Sequence, residues 1–274
     1  MKIQFKLMFS ALLCLSVFAC QKDAFKNDFS AEDNALSTQT FDNTDELTEE
    51  AATFGAVGSL LSVGKDGTVN APEGCATVTR DTVSNPKTMV IDFGTTNCTG
   101  NDGRTRRGRI LVSYTGRYRD AGTVITTTFD NYFVNDNQVL GTKVVTNNGR
   151  NANNNLNYTI NVTGEIRSAA GDTITWTSTR NREWLLGSAT PLVRQDDVYS
   201  ITGSGSGTRK SGTTYTWTIA TALRKATACK WIDTGMINIT PQGKTTRSLD
   251  FGSGTCDNDA TVTVGSTVKS IKLK

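Results

Sequence analysis

From Ala76 onward, threonine, valine, isoleucine and aromatic residues alternate with polar ones, and turn signals recur every eight to fourteen residues. Alternation with a period of two marks strands buried on one face, so the pattern predicts about eleven antiparallel strands in up-and-down order. A two-residue turn at Asp136-Asn137 sets Phe133 opposite Leu140 and Phe129 opposite Val144. A turn around Asp120 to Thr123 sets Tyr114 opposite Phe129 and Ile110 opposite Phe133, so that three strands share one apolar face.

Two later hairpins close on Ala169-Ala170-Gly171 and Lys210-Ser211-Gly212, three-residue loops whose final glycine suits the left-handed conformation of a G1 bulge. This register places Gly164 opposite Trp176, and Gly207, Gly205 and Gly203 opposite Tyr215, Trp217 and Ile219. The stretch Gly203-Ser-Gly-Ser-Gly207 has the composition of a linker. Its aromatic partners predict a strand instead, because rings can lie where side chains are missing.

Ahead of the strands, Asn43 offers an N-cap with Glu46 three residues on, and Leu47, Ala51, Phe54, Gly58 and Leu61 recur at helical spacing. This predicts one amphipathic helix within 43–73, whose early acids Asp45, Glu46, Glu49 and Glu50 complement the helix dipole. Residues 20–42 are polar and aperiodic and read as an acidic flexible tether. The expected architecture is all-β. Residues 74–274 form a large twisted antiparallel meander curled into a half-barrel or a closed barrel, with the helix covering part of its apolar face.

Charge is divided unevenly. Residues 20–73 carry a net −8 and residues 74–274 a net +9, so the near-neutral total of +3 conceals an acidic arm and a basic body.

Lys2 and Lys6 precede an apolar run, Leu7 to Ala19, that is short for a membrane span and of the right length for a signal peptide. The run ends in Val17-Phe18-Ala19-Cys20, which resembles the lipobox of bacterial lipoproteins. Lys22-Asp23 is similar to a shortened form of the surface-export signal of Bacteroidota lipoproteins. The resemblance implies removal of residues 1–19, acylation of Cys20, and a protein held by lipid in the outer membrane, at its periplasmic face or, preferably, on the cell surface.

Four cysteines then remain, Cys75, Cys98, Cys229 and Cys256, and in an oxidising compartment an even number reads as disulfides before metal. A repeated phrase selects among the three pairings. Ile91-Asp92-Phe93-Gly94 precedes Cys98 as Leu249-Asp250-Phe251-Gly252 precedes Cys256, which predicts Cys75–Cys98 and Cys229–Cys256. Asp-Phe-Gly is a kinase signature only beside a phosphate loop and a catalytic loop. Here it reads as a core phenylalanine at a strand end between turn residues.

The chain contains no histidine, which removes the usual general base and the common nucleophile dyads. No pair of carboxylates is singled out, so a glycan hydrolase built on carboxylates is the remaining enzymatic reading, and the chain is taken as non-enzymatic and free of cofactor and metal. Arg104, Arg106, Arg107 and Arg109 form the densest charge cluster. They can contact anions such as phosphate, or form a hairpin tip facing the acidic arm. The partners expected are a membrane, through the lipid, and a surface glycan, a protein or an amphiphile held by the curled sheet; nucleic acid is not expected.

Overall fold

The alternation becomes one antiparallel sheet wrapped around a helix. A computed structural model describes residues 25–26, 28–61, 69–70, 76–190, 193–209 and 211–273. The helix α1 spans Ser30–Leu61. It is followed by β1 (Val69–Asn70), β2 (Thr77–Asp81), β3 (Lys87–Asp92), β4 (Cys98–Thr99), β5 (Thr105–Tyr114), β6 (Val124–Val134), β7 (Asn137–Arg150) and β8 (Leu156–Arg167). The remaining strands are β9 (Thr173–Leu186), β10 (Val198–Arg209), β11 (Thr214–Ala226), β12 (Thr234–Pro241), β13 (Arg247–Ser253), β14 (Asp259–Val264) and β15 (Thr267–Lys272). Each pairs with its neighbours in chain order, except that β4 lies off the path against β5, and among the described residues no ladder joins the last strand to the first. The curled meander expected from the alternation is therefore present, and its sheet is not closed.

The hairpin registers refine the prediction. Gly164 faces Trp176, Gly205 faces Trp217 and Gly207 faces Tyr215 as expected, so GSGSG is a strand. Gly203 departs from the predicted pairing, because a bulge intervenes between Ile201 and Ser204. The β6–β7 turn falls one residue earlier than predicted, on Asn135 and Asp136, both with positive φ, and Phe133 pairs with Gln138. A second irregularity follows at Asn131, where φ is 46°. It shifts the parity of β6, so Val144 pairs with Thr126 and Ile110 with Phe129. Phe129 therefore faces inward, 6.2 Å from the ring of Phe41, while Phe133 lies outside under Arg107.

Both copies of the repeated phrase fold alike. The Asp92 carboxylate accepts the Gly94 N–H at 2.8 Å, and Asp250 accepts that of Gly252 at 2.8 Å. Both glycines have positive φ, 75° and 95°, and Phe93 and Phe251 are buried. Cys229 and Cys256 form a disulfide. Cys98 is also disulfide-bonded; Cys75, its expected partner, lies outside the described residues, as do Cys20 and the whole signal segment. The two phrases flank a place where distant parts of the sheet meet. Lys230 donates to the Asp102 carbonyl at 2.7 Å, and Arg104 lies over the Trp231 ring.

The helix differs most from expectation. It starts at Ser30, so 30–42 is helix rather than tether, and Asn43 is an interior residue hydrogen-bonded to Glu46. Its start is fixed by Asp28, which accepts the Ser30 N–H at 3.1 Å and pairs with Arg247 of β13. Nor is it amphipathic in the usual sense. Buried positions run around its whole circumference, among them Asn34, Ser37, Thr38, Phe41, Thr44 and Asp45.

Candidate functional site

Strand parity dictates what surrounds that polar helix. On β9, Trp176, Ser178, Arg180, Arg182 and Trp184 point inward, whereas Thr175, Thr177, Thr179, Asn181 and Glu183 point outward. Two arginines thus share the face of two tryptophans and meet the helix. Arg180 pairs with Asp42 at 2.9 Å. Lys143 of β7 and Arg182 share Asp45, at 2.7 and 3.2 Å. Lys225 of β11 pairs with Glu46 at 2.9 Å, Arg194 with Glu49 at 3.4 Å, and Arg209 of β10 with Asp33. The acidic arm and basic body of the sequence are the two sides of this interface.

Aromatic rings fill the gaps between the charges. Phe41 stacks on Trp176 at 5.6 Å, Trp176 stacks on Trp217 at 5.3 Å, and the Arg180 guanidinium lies over both indoles. Glycines make room for the stack. Phe41 covers Gly164, Trp217 covers Gly205 and Tyr215 covers Gly207. Arg182 is enclosed by Tyr118, Tyr158 and Tyr199. Burial alone would lower its pKa, but Asp45 and Glu49 more than offset that, so it stays charged. A cavity of about 20 Å³ remains between Asp42, Glu49, Arg180 and Arg182, enough for roughly one water.

Near Glu49, Asp197 is buried and accepts the Trp184 indole N–H at 3.1 Å. Burial first, then the charge of Glu49, push its carboxyl up to about 6, against Arg194 and Arg119; Asp196 adds to the rise. An acid whose folded pKa exceeds its unfolded value of about 3.9 binds the extra proton in the folded state, so its stabilising contribution is lost as pH rises through about 6. Asp197→Asn keeps the acceptor without the charge. It should melt above wild type at neutral pH, with the gap closing near pH 4. A gap that does not change with pH would contradict this.

The arginine cluster is split by strand parity, not gathered into one anion site. Arg106 is fully buried, bidentate on Asp102 and bonded to Asn43 at 2.8 Å; Arg104 is buried beside it. Burial raises the Asp102 pKa, but Arg106 and Arg104 more than reverse this and hold the carboxyl at about 2. Arg107 and Arg109 face outward and pair with Asp136 and Asp130. There they border an open groove of about 460 Å³ over β3, β5 and β6, whose lining includes Asp92, Thr95, Asn131 and Phe133. Among the described residues, no group of three or more Cys, Asp or Glu side chains is arranged to hold a metal ion.

The inward cations Lys143, Arg180, Arg182, Arg209, Lys225 and Arg247 were not among the residues the sequence suggested. Two signals were available: the opposed charges of arm and body, and the placement of Arg180 and Arg182 in the row of Trp176 and Trp184. What fold and site define together is a curled antiparallel meander packed on a polar helix. No protein-family model matches this sequence, and no curated protein or solved structure is significantly similar to it.

Proposed function

We propose that the protein is a lipid-anchored module of the outer membrane or cell surface that works by non-enzymatic contact through its outer face. The observation that carries this reading is the filling of the curled sheet by the chain's own helix, which leaves the outside for partners. The outward rows of β9 and β10 are mostly polar, with Thr175, Thr177, Thr179, Asn181, Ser204 and Ser206 among them, a surface suited to water and not to the apolar band of a membrane barrel. Carriage of an amphiphile is the weaker reading, since among the described residues the cavity between Asp42, Glu49, Arg180 and Arg182 holds about 20 Å³. A hydrolase using Glu165 and Glu183 is weaker still. Glu165 faces Thr175, eight residues along β9 from Glu183, roughly 26 Å at strand rise, against 5–9.5 Å for the carboxylates of glycosidases.

The anchor rests on the sequence around Cys20. With helix from Ser30 and Phe25 packed against the core, the chain from Cys20 to Phe25 spans at most roughly 18 Å. The body is then held close to the bilayer, with the start of the helix nearest to it. Cys20→Ser should move the protein out of the membrane fraction. Continued detergent-dependent membrane association of the variant would refute the lipid anchor.

A further inference from the structure

We propose that the outer groove over β3, β5 and β6 is a binding subsite for a neutral saccharide. The proposal rests on the reading of the outer face as the contacting surface and assigns that face a ligand.

The groove arises from two facing irregularities. Gly108 of β5 has φ of 82° and Asn131 of β6 has φ of 46°; the β5–β6 register shifts between Arg107 and Arg109, and the β6–β7 register between Thr128 and Phe133. A bulge bends its strand and re-aims its side chains. The two meet so closely that a Cβ on Gly108 would fall 1.9 Å from the Asn131 carbonyl oxygen. This close approach fixes the two backbones relative to one another where Gly108 and Asn131 line the groove, and the side chains of Asp92, Arg107, Arg109, Asp130 and Phe133 complete it. Its volume, about 460 Å³, lies within the range of small-molecule sites.

The lining selects the ligand class. Arg107 lies over Phe133, 3.8 Å from the ring centroid, and donates to Asn97 and Asp136. Arg109 is paired with Asp130, which also accepts from Asn131. Asp92 uses one carboxylate oxygen on Gly94. Within the lining, two arginines balance two aspartates, so the groove offers no net attraction to phosphate or a polyanion. It presents fixed donors beside fixed acceptors next to an aromatic edge. Vicinal hydroxyls, which donate and accept at adjacent positions, match that arrangement, and the C–H groups of a sugar match the phenylalanine edge that lines the groove beside Arg107.

The test uses the detergent-solubilised protein on a printed array of neutral, uronate-bearing and phosphate-bearing oligosaccharides, with affinities then measured in solution at low and high salt. The expected result is binding of neutral members that salt does not weaken, reduced roughly tenfold or more, equivalent to 1.4 kcal/mol, in both Phe133→Ala and Arg109→Ala. Both variants should keep the wild-type melting temperature, since each side chain lies on the outer surface. Absence of binding to any member, binding confined to anionic members and lost at high salt, or equal binding by the variants would overturn the proposal. None of these outcomes bears on membrane fractionation of Cys20→Ser, so the groove and the anchor fail separately.

Discussion

Asp45→Ala should lower the melting temperature by about 6–20 °C. The Asp45 carboxylate is the shared partner of Lys143 and Arg182, and all three side chains are at most 8% exposed. Removing one member of a buried ion pair costs about 3–5 kcal/mol, because the charge left behind stays desolvated without its partner. In a body of this size each kcal/mol shifts the midpoint by roughly 2–4 °C. Lys143 keeps a bond to the Phe41 carbonyl, which softens the loss without replacing the charge. The contrast is Glu32→Ala. Glu32 pairs with Lys269 of β15 where the two side chains are 34% and 42% exposed, and such pairs contribute about 0–1 kcal/mol. Thermal melts of both variants at one pH decide the matter. If Asp45→Ala loses no more than Glu32→Ala, the acidic helix is not seated inside the sheet.

The same residues show what the sequence could and could not disclose. Strands were legible because their period is local: alternation along β9 and the glycines opposite Trp176, Tyr215 and Trp217 were readable from short stretches and turn chemistry. The helix start was not, because Ser30 to Asp42 has no apolar stripe and is rich in serine, threonine, asparagine and aspartate, which favour caps and turns over helix interiors. Its polar groups find partners far along the chain. Asn34 accepts from Trp176, Asp42 from Arg180 and Asp33 from Arg209, separations of more than 130 residues that no window captures. The sequence registers the interface only through the opposed charges of arm and body and the arginines in the row of Trp176 and Trp184. The β6 register failed for a different reason: one inserted residue reverses every later side chain, and the bulge is set by a tertiary fit of Asn131 against Gly108. The outer groove was out of reach on the same account, since it exists only where those two irregularities meet.

Gly205→Val should also lower the melting temperature by several degrees, and it tests the sheet where the sequence looks most like a linker. A Cβ at Gly205 would lie 2.0 Å from the Thr177 carbonyl oxygen and 2.7 Å from the Trp217 ring. One contact is with the backbone of β9, so relief requires opening the β9–β10 ladder. The other is with an indole already stacked on Trp176, so the ring cannot swing aside without disturbing Phe41 on the helix. Overpacking of this kind costs about 1–3 kcal/mol, and the broken ladder adds to it. Gly205→Ala meets the same carbonyl and should fall in the same direction by less, which keeps the test informative should the valine variant fail to accumulate. Gly171 supplies the comparison. It has positive φ, but a Cβ there meets nothing within 4 Å, and asparagine tolerates the left-handed conformation, so Gly171→Asn should melt close to wild type. Hydrogen exchange should show amides of Ser204 and Ser206 protected in wild type and exposed in Gly205→Val. Unchanged melting in both Gly205 variants, with fast exchange at Ser204 and Ser206 in wild type, would mean that residues 203–207 are a linker and that the sheet around the helix is broken there.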